Sequence, residues 1–365
     1  MLFINLSLLK FQKIGEIYMN IYDKYFDFRM ATIDDIYEIM LFLKKVWSEN
    51  HILANDRKLF QWQYGNEQFG DKNAINVVLM LDKNKKIAGM NGFIPYAALP
   101  EERYVSSAIT VVRPDLEIPQ CGIELIKRFK EIVPAKAYYS SGTNPRTMIP
   151  IGKRIFHYET GIMQQYYMIN NKFTDFKVAR INHHVSSEYC HTEILLRPLQ
   201  NMSEAEKCFK FARKEKGQGY KSKEFLDKRY FKHPVYQYQI YGVQGVKEQA
   251  YLGILVGREI EIHKRKILRL VDYIGNLTYI GSLGTALHQL MDKNDYEYID
   301  MMVGTLPREL MSQAGFSLRE LEDTNVIPTY FEPFVQENVN IWYQKSDPDI
   351  VIFKADGDQD RPNRR

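Results

Sequence analysis

Apolar positions change period along this chain, and the changes divide it into elements. FDFRMAT, from Phe26, has the pattern of a strand. Thr32 then suits a helix N-cap, and Asp34 and Asp35 suit the positive helix end. Ile36, Ile39, Met40 and Leu43 follow at helical spacing, with Trp47 one turn later. A second short helix is expected over about Asp56 to Trp62. INVVLMLDKNKKIAGMNGFIPY carries two apolar runs around the turn Asp82 to Lys85, a hairpin signal. Tyr104 to Val112 is another strand, ended by Pro114, and the polar turn RPDLEIPQ leads into the helix CGIELIKRFKEIV. A strand at Lys136 to Ser140, the turn SSGTN, a short helix around Pro145 to Arg154 and a strand ETGIMQQYYMIN complete the set. The order β-α-α-β-β-β-α-β-α-β is neither a βαβ repeat nor a sandwich.

The second half repeats this order. HTEILLRPL is a strand, MSEAEKCFKFARKE a helix with a capping-box spacing from Ser203 to Glu206, and SKEFLDKRYFKHP a helix ended by Pro234. YQYQIYGV and QAYLGILVGR form a hairpin and KILRLVDYIGN is the next strand. The helix SLGTALHQLMDKN, the strand YEYIDMMVG, the short helix LPRELMSQAG and a final hairpin, IWYQKSDPDIVIFKA, follow. The pattern recurs at a period of roughly 170 residues, with slight residue identity. The implied division is an extension over 1–24, a first domain over 25–170, a linker over 171–185 containing His183 and His184, and a second domain over 186–365.

Composition agrees with two globular units. The chain has 365 residues, 45% hydrophobic and 26% charged, which excludes a disordered chain, a coiled coil and a collagen-like chain. A net charge of +4, with no basic cluster except the last two arginines, is no nucleic-acid signature. The three cysteines, Cys121, Cys190 and Cys208, have neither disulfide-framework nor zinc spacing, so a reducing, cytoplasmic setting and no metal are expected. No apolar run reaches the roughly 18 residues of a spanning helix. The apolar start, MLFINLSLLKFQKIGEIYM, lacks a preceding positive charge and a small-residue cleavage site. It is read as a frayed leader or an upstream start, with Met19 as an alternative start.

The element order, with a few local features, resembles two consecutive GNAT domains over about Tyr25 to Asn363. The fold class expected from the resemblance is α/β, an α+β mixed sheet in two GNAT-like N-acyltransferase domains. In that family the fourth strand splays from its neighbour, and the loop and helix after it hold acyl-CoA. A helix N-terminus with free N–H groups favours the pyrophosphate. The matching stretch here is Ala108, Ile109, Thr110, Val111 and Val112, then Arg113 to Gln120, then Cys121, Gly122, Ile123, Glu124 and Leu125. Only Gly122 matches the loop pattern R/Q-x-x-G-x-G/A, in the place of its last glycine. Pro119 and Gln120 stand where glycine would let the backbone approach phosphates. The resemblance makes Ile109, Thr110, Val111, Val112, Arg113, Gln120, Cys121, Gly122 and Asn144 the cofactor-binding candidates, and Tyr158, with Tyr167 as an alternative, the acid for the leaving thiolate. An Asn in a turn such as SSGTN is also an ordinary helix cap. In the second half, Gly281, Gly284 and Thr285 precede the corresponding helix in a short loop without Arg or Lys, so the first half is favoured as the acyl-CoA site.

The pattern W-x-x-x-H-x-x-x-x-D…F-x-W-Q-Y, from Trp47 through His51 and Asp56 to Tyr64, resembles bacterial sugar N-acyltransferases of tandem GNAT build. So does the ending Asp356, Gly357, Asp358, Gln359, Asp360, Arg361. The resemblance implies acyl transfer from acetyl-CoA or 3-hydroxybutanoyl-CoA to the amine of a dTDP-linked amino-dideoxyhexose for surface polysaccharide. His51 is then the candidate base. Trp47, Asn50, Asp56, Asp356, Asp358, Asp360 and Arg361 are the acceptor-side candidates. A large aromatic in a helix more often packs a core, and Trp47 is read chiefly that way. Alternation in an extended chain would aim the three closing acids to one side. Arg229 and Lys232 suit a diphosphate, or simply a helix C-terminus before Pro234. Two other readings stay open: a transferase using aminoacyl-tRNA on peptidoglycan precursors, and a non-catalytic, degenerate ligand-binding protein.

Overall fold

The computed structural model describes residues 20–184, 188–208, 219–247 and 249–363. The expected extension up to Met19, the linker end at Val185, the later part of the helix begun at Met202, and the final two arginines lie outside the described residues. The local periods are realised closely. The first half contains strands β1 (Phe26–Thr32), β2 (Asp71–Asp82), β3 (Ile87–Pro95), β4 (Tyr104–Val112), β5 (Ala137–Ser141), β6 (Glu159–Ile162) and β7 (Gln164–Ile169). Its helices are α1 (Ile36–Val46), α2 (Ile52–Asn55), α3 (Arg57–Tyr64), α4 (Cys121–Ile132) and α5 (Met148–Ile155). Thr32 and Asp35 form a capping box before α1, the Asp35 carboxylate accepting the Thr32 N–H at 2.8 Å.

The second half supplies β8 (Ile194–Pro198), β9 (Tyr238–Gly245), β10 (Tyr251–Ile262), β11 (Arg265–Gly275), β12 (Tyr296–Gly304), β13 (Ser317–Leu318), β14 (Trp342–Lys345) and β15 (Ile352–Phe353). Its helices include α6 (Met202–Cys208), α7 (Lys223–Leu226), α8 (Gly284–Asn294) and α9 (Arg308–Gln313). Two mixed eight-stranded sheets result. The first runs β1-β2-β3-β4-β5-β14-β6 with the two-residue strand Gly65–Asn66 on β2, and the second β13-β7-β12-β11-β10-β9-β8 with β15 on β12.

The strand order overturns two expectations. ETGIMQQYYMIN is not one strand closing the first half: it breaks at Met163, β6 staying in the first sheet and β7 pairing with β12 in the second. The final segment is not a hairpin either. β14 pairs with β5 and β6 in the first sheet, whereas β15 pairs with β12. Each half therefore lends its late strand to the other. Period-2 alternation marks a strand but not its partner, which is why the exchange left no local trace. The described part of the expected linker is anchored: Lys177, Val178 and Ala179 donate their N–H groups to the buried Glu297 carboxylate at 2.7, 2.9 and 2.9 Å.

Candidate active site at the splayed strands

Parallel β4 and β5 pair only from Tyr104 to Ser106 against Ala137 to Tyr139, then part. A bulge at Ala108 turns β4 where they part, since Ser107 faces Phe93 while Ile109 faces Gly92. Buried Asn91 braces this bend, donating to Ser107 Oγ at 3.2 Å and Thr110 Oγ1 at 2.7 Å. The Arg113 N–H bonds to the Ala88 carbonyl of β3 at 2.8 Å. By alternation, the main-chain groups of Thr110 and Val112 face the opening. A cavity of about 420 Å³ fills it, lined by Ser107, Thr110, Ser140, Thr143, Tyr330 and Gln344 among others. On the α4 side a narrow space of about 20 Å³ adjoins Ser107, Phe129, Met148 and Tyr158.

The corresponding opening in the second sheet is filled. β11 and β12 pair from Lys266 to Leu270 and then part. β15 bonds to Val303 and Gly304 on one side, and the Ala355 N–H bonds to the Val271 carbonyl on the other at 2.9 Å. The start of α8 is covered as well: a Cβ at Gly284 would lie 2.8 Å from Tyr189 Cβ, and Thr285 Oγ1 accepts the Thr192 N–H at 3.2 Å.

The closing segment then crosses to the first sheet. It is not extended, and its acids do not share a side, because each is drawn to a different cation. Asp356 meets Lys221 at 2.7 Å, and Lys221 also holds Asp272. Asp358 pairs with Arg361. Asp360 meets Arg258 at 3.0 Å and accepts the Tyr238 hydroxyl at 2.8 Å. Burial pushes the Asp360 carboxyl up, but Arg258 and Arg229 outweigh it and hold the pKa at about 2. Gly357 has φ of +80°, and a Cβ there would lie 2.5 Å from Ser106 Oγ of β4. Gly142, at φ +72°, would drive its Cβ to 1.9 Å from the Gln359 amide. Two glycines thus let the segment lie against the ends of β4 and β5. Ser141 Oγ donates to the Asp356 carbonyl at 2.9 Å.

The expected site residues divide between these regions. Ile109 and Val111 pack into the core under α1 and α3, and Val112 packs toward α4. Arg113 is tied to Asp82 at 3.2 Å and Asp115 at 3.3 Å. Gln120 precedes α4 with φ of +61°, so a side chain occupies a left-handed position suited to glycine. Cys121 is buried, its thiol on the Ile118 carbonyl at 3.0 Å, while nothing stands within 4 Å of a Cβ at Gly122. Asn144 lines the cavity mouth, and its side chain caps the turn before α5, accepting the Arg146 N–H at 2.9 Å. Tyr158 borders the α4-side space, and burial raises its pKa, keeping the hydroxyl protonated.

Trp47 is 50% exposed and lines the large cavity, so its reading as a packing residue is corrected. The α1 stripe ends a turn before it, and the ring projects past the core. Asp56 caps α3, accepting the Leu59 N–H at 2.9 Å. Asn50 is exposed and lines none of these cavities. His51 Nε2 faces Arg361 Nη2 at 2.9 Å. Because a guanidinium only donates, Nε2 accepts and Nδ1 carries the proton. Burial, then Arg361, lowers its pKa to about 4, which poorly matches a base working near neutrality. Tyr330, Asn340, Trp342 and Gln344, all cavity-lining, escaped the sequence reading. Trp342 and Gln344 lie on exchanged β14, where no local spacing points to the first half.

No family model matches the chain, and no curated protein matches it. Among solved structures it is similar to a GCN5-related N-acetyltransferase from Anabaena variabilis, with 10% identity over 88% of this chain and 72% of that one, at a TM-score of 0.52. Weaker likenesses include a probable N-acyltransferase of Enterococcus faecalis (11% identity, 87% and 72% covered, TM-score 0.49). Another is Saccharomyces cerevisiae N-myristoyltransferase with bound myristoyl-CoA (11%, 88% and 78%, 0.43). With the splayed β4 and β5, the first of these likenesses establishes that the chain has the fold of the GCN5-related N-acetyltransferases.

Proposed function

We propose that the protein is an acyl-CoA-dependent N-acyltransferase whose first half holds the donor. The observation that carries this reading is the contrast between the two openings, one empty at about 420 Å³ and the other filled by the chain itself. The pantetheine arm lies between β4 and β5, its amides on the free main-chain groups of Thr110 and Val112. The thioester oxygen faces the Val112 N–H, a fixed donor aimed at developing negative charge. The acceptor amine attacks the thioester carbon, forming the C–N bond. The C–S bond breaks, the thiolate takes the Tyr158 proton, and the proton shed by the acylated nitrogen passes through water back to the Tyr158 oxygen. Positioning supplies most of the rate. His51, neutral, orients Arg361 rather than removing the proton.

The acceptor proposed is a dTDP-linked 3-amino- or 4-amino-dideoxyhexose, and the acyl group acetyl or 3-hydroxybutanoyl. The resemblance carried by the motif around Trp47 to Tyr64 supports this choice, and the role it implies is surface polysaccharide synthesis in the cytoplasm. The experiment is thiol release from each acyl-CoA with these sugar nucleotides, read by mass spectrometry, beside calorimetric acyl-CoA binding. Thr143→Trp, which fills the cavity mouth, is expected to weaken acyl-CoA binding by about tenfold or more with the melting temperature unchanged. Equal binding by wild type and variant would remove the donor site from this cleft.

A further inference from the structure

The narrow space on the α4 side of the opening differs in chemistry from the large cavity it adjoins. The large cavity carries hydroxyl and amide side chains, among them Ser107, Thr110, Ser141, Thr143 and Asn340. The narrow one is walled chiefly by Ile126, Phe129, Tyr138, Phe156 and Tyr158. Among the described residues, neither wall contains an Asp, Glu, Lys, Arg or His. The amides of a pantetheine arm suit the first space, and an apolar tail suits the second. At about 20 Å³ the narrow space holds one group the size of a water or a methyl.

Ser107, Ser140, Met148 and Gln344 line both cavities and so form the border between them. Gln344 is the fixed member of that border. It is 6% exposed, and its backbone is held by Ser140 of β5 on one side and Thr160 of β6 on the other. Its Oε1 is buried without a hydrogen-bond partner. Gly152 of α5 makes room for the amide: a Cβ there would lie 2.0 Å from Oε1, 3.0 Å from Cδ and 3.8 Å from Nε2. The amide therefore rests against α5 by its oxygen and turns its nitrogen away. Leaving a buried acceptor unpaired costs stability, so packing against α5 does not by itself account for Gln344.

We infer that the narrow space seats the acyl end of the donor, and that Gln344, admitted against α5 by Gly152, limits that end to a neutral, methyl-sized group. The inference rests on the acyltransferase reading above, in which Tyr158 of this space protonates the thiolate, and it narrows the donor to acetyl-CoA. The acetyl methyl lies beside the Phe129 and Phe156 rings. A 3-hydroxybutanoyl tail adds two carbons and a hydroxyl, more than the space holds. A succinyl tail would bury a carboxylate without a partner. Because Gln344 arrives on exchanged β14, the second half of the chain sets the size of the group that the first half transfers.

The test is calorimetric titration of the full chain with CoA, acetyl-CoA, butanoyl-CoA, octanoyl-CoA and succinyl-CoA. Acetyl-CoA is expected to bind about tenfold or more tightly than the three longer acyl-CoAs. Gly152→Ala drives the Gln344 amide toward the cavities it lines. It is expected to weaken acetyl-CoA binding about tenfold relative to CoA, which has no acyl end. Met148→Ala opens the same border without touching Gly152, and is expected to bring butanoyl-CoA to within about twofold of acetyl-CoA. CoA binding with one affinity for every chain length would overturn the inference and leave the donor cleft standing. So would chain-length ratios that neither variant alters. Absence of binding by CoA and by every acyl-CoA would sink the acyltransferase reading, and this inference with it.

Discussion

Lys354 shows how much a single side chain can depart from its sequence appearance. It reads as the polar end of the strand VIFKA, yet it is buried, and its amine has no hydrogen-bond partner, lying 5.2 Å from the Tyr330 ring centre. Burial, reinforced by Arg269 and Arg258, lowers its pKa to about 7. Unfolding restores the ordinary value of 10.5, so between these limits the unfolded chain binds the extra proton. Stability therefore rises as pH climbs from about 7 to 10.5, by up to about 1.4 kcal/mol per pH unit from this group. Lys354→Met is expected to raise the melting temperature at pH 7 and flatten that rise, measured by thermal unfolding across the range. Lys228, also lowered to about 7 by burial, keeps its own share of the slope in that variant.

Among the elements, the closing segment carries the most consequence. It completes the second sheet and reaches the ends of β4 and β5. Gly357→Ala forces a side chain into a left-handed position and against Ser106, at an expected cost of about 2 kcal/mol or more. Urea unfolding should show that loss. Periodicity gave β4 and α4 nearly residue for residue, because their patterns depend on neighbours in sequence. The opening between β4 and β5 was anticipated through resemblance, from the strand and the helix after it. The splitting of ETGIMQQYYMIN and the fate of IWYQK were hidden, since both depend on partners far along the chain. The approach of the Arg229 guanidinium to the Trp62 ring, 5.9 Å from its centre, was hidden for the same reason: the two come together only when the halves meet.

For the whole molecule, the exchanged strands make the halves mutually dependent. A chain cut after Asn170 keeps β7 without its sheet and leaves β5 and β6 without β14 between them. Expressed alone, residues 20–170 are expected to be aggregated or unfolded by circular dichroism and size exclusion. Supplying residues 171–363 in the same cell should restore soluble material holding both pieces. A well-folded isolated fragment would contradict the exchange. The exchange also sets a schedule for synthesis on the ribosome. The first sheet waits, with a gap beside β5, until β14 has been made. The cleft between β4 and β5, whose far wall includes Trp342 and Gln344, is completed only after nearly all the described chain has emerged. Pairing so distant in sequence closes a very long loop, which slows folding and leaves strand edges exposed meanwhile. The cleft between β4 and β5 is therefore incomplete throughout elongation and forms in one late step.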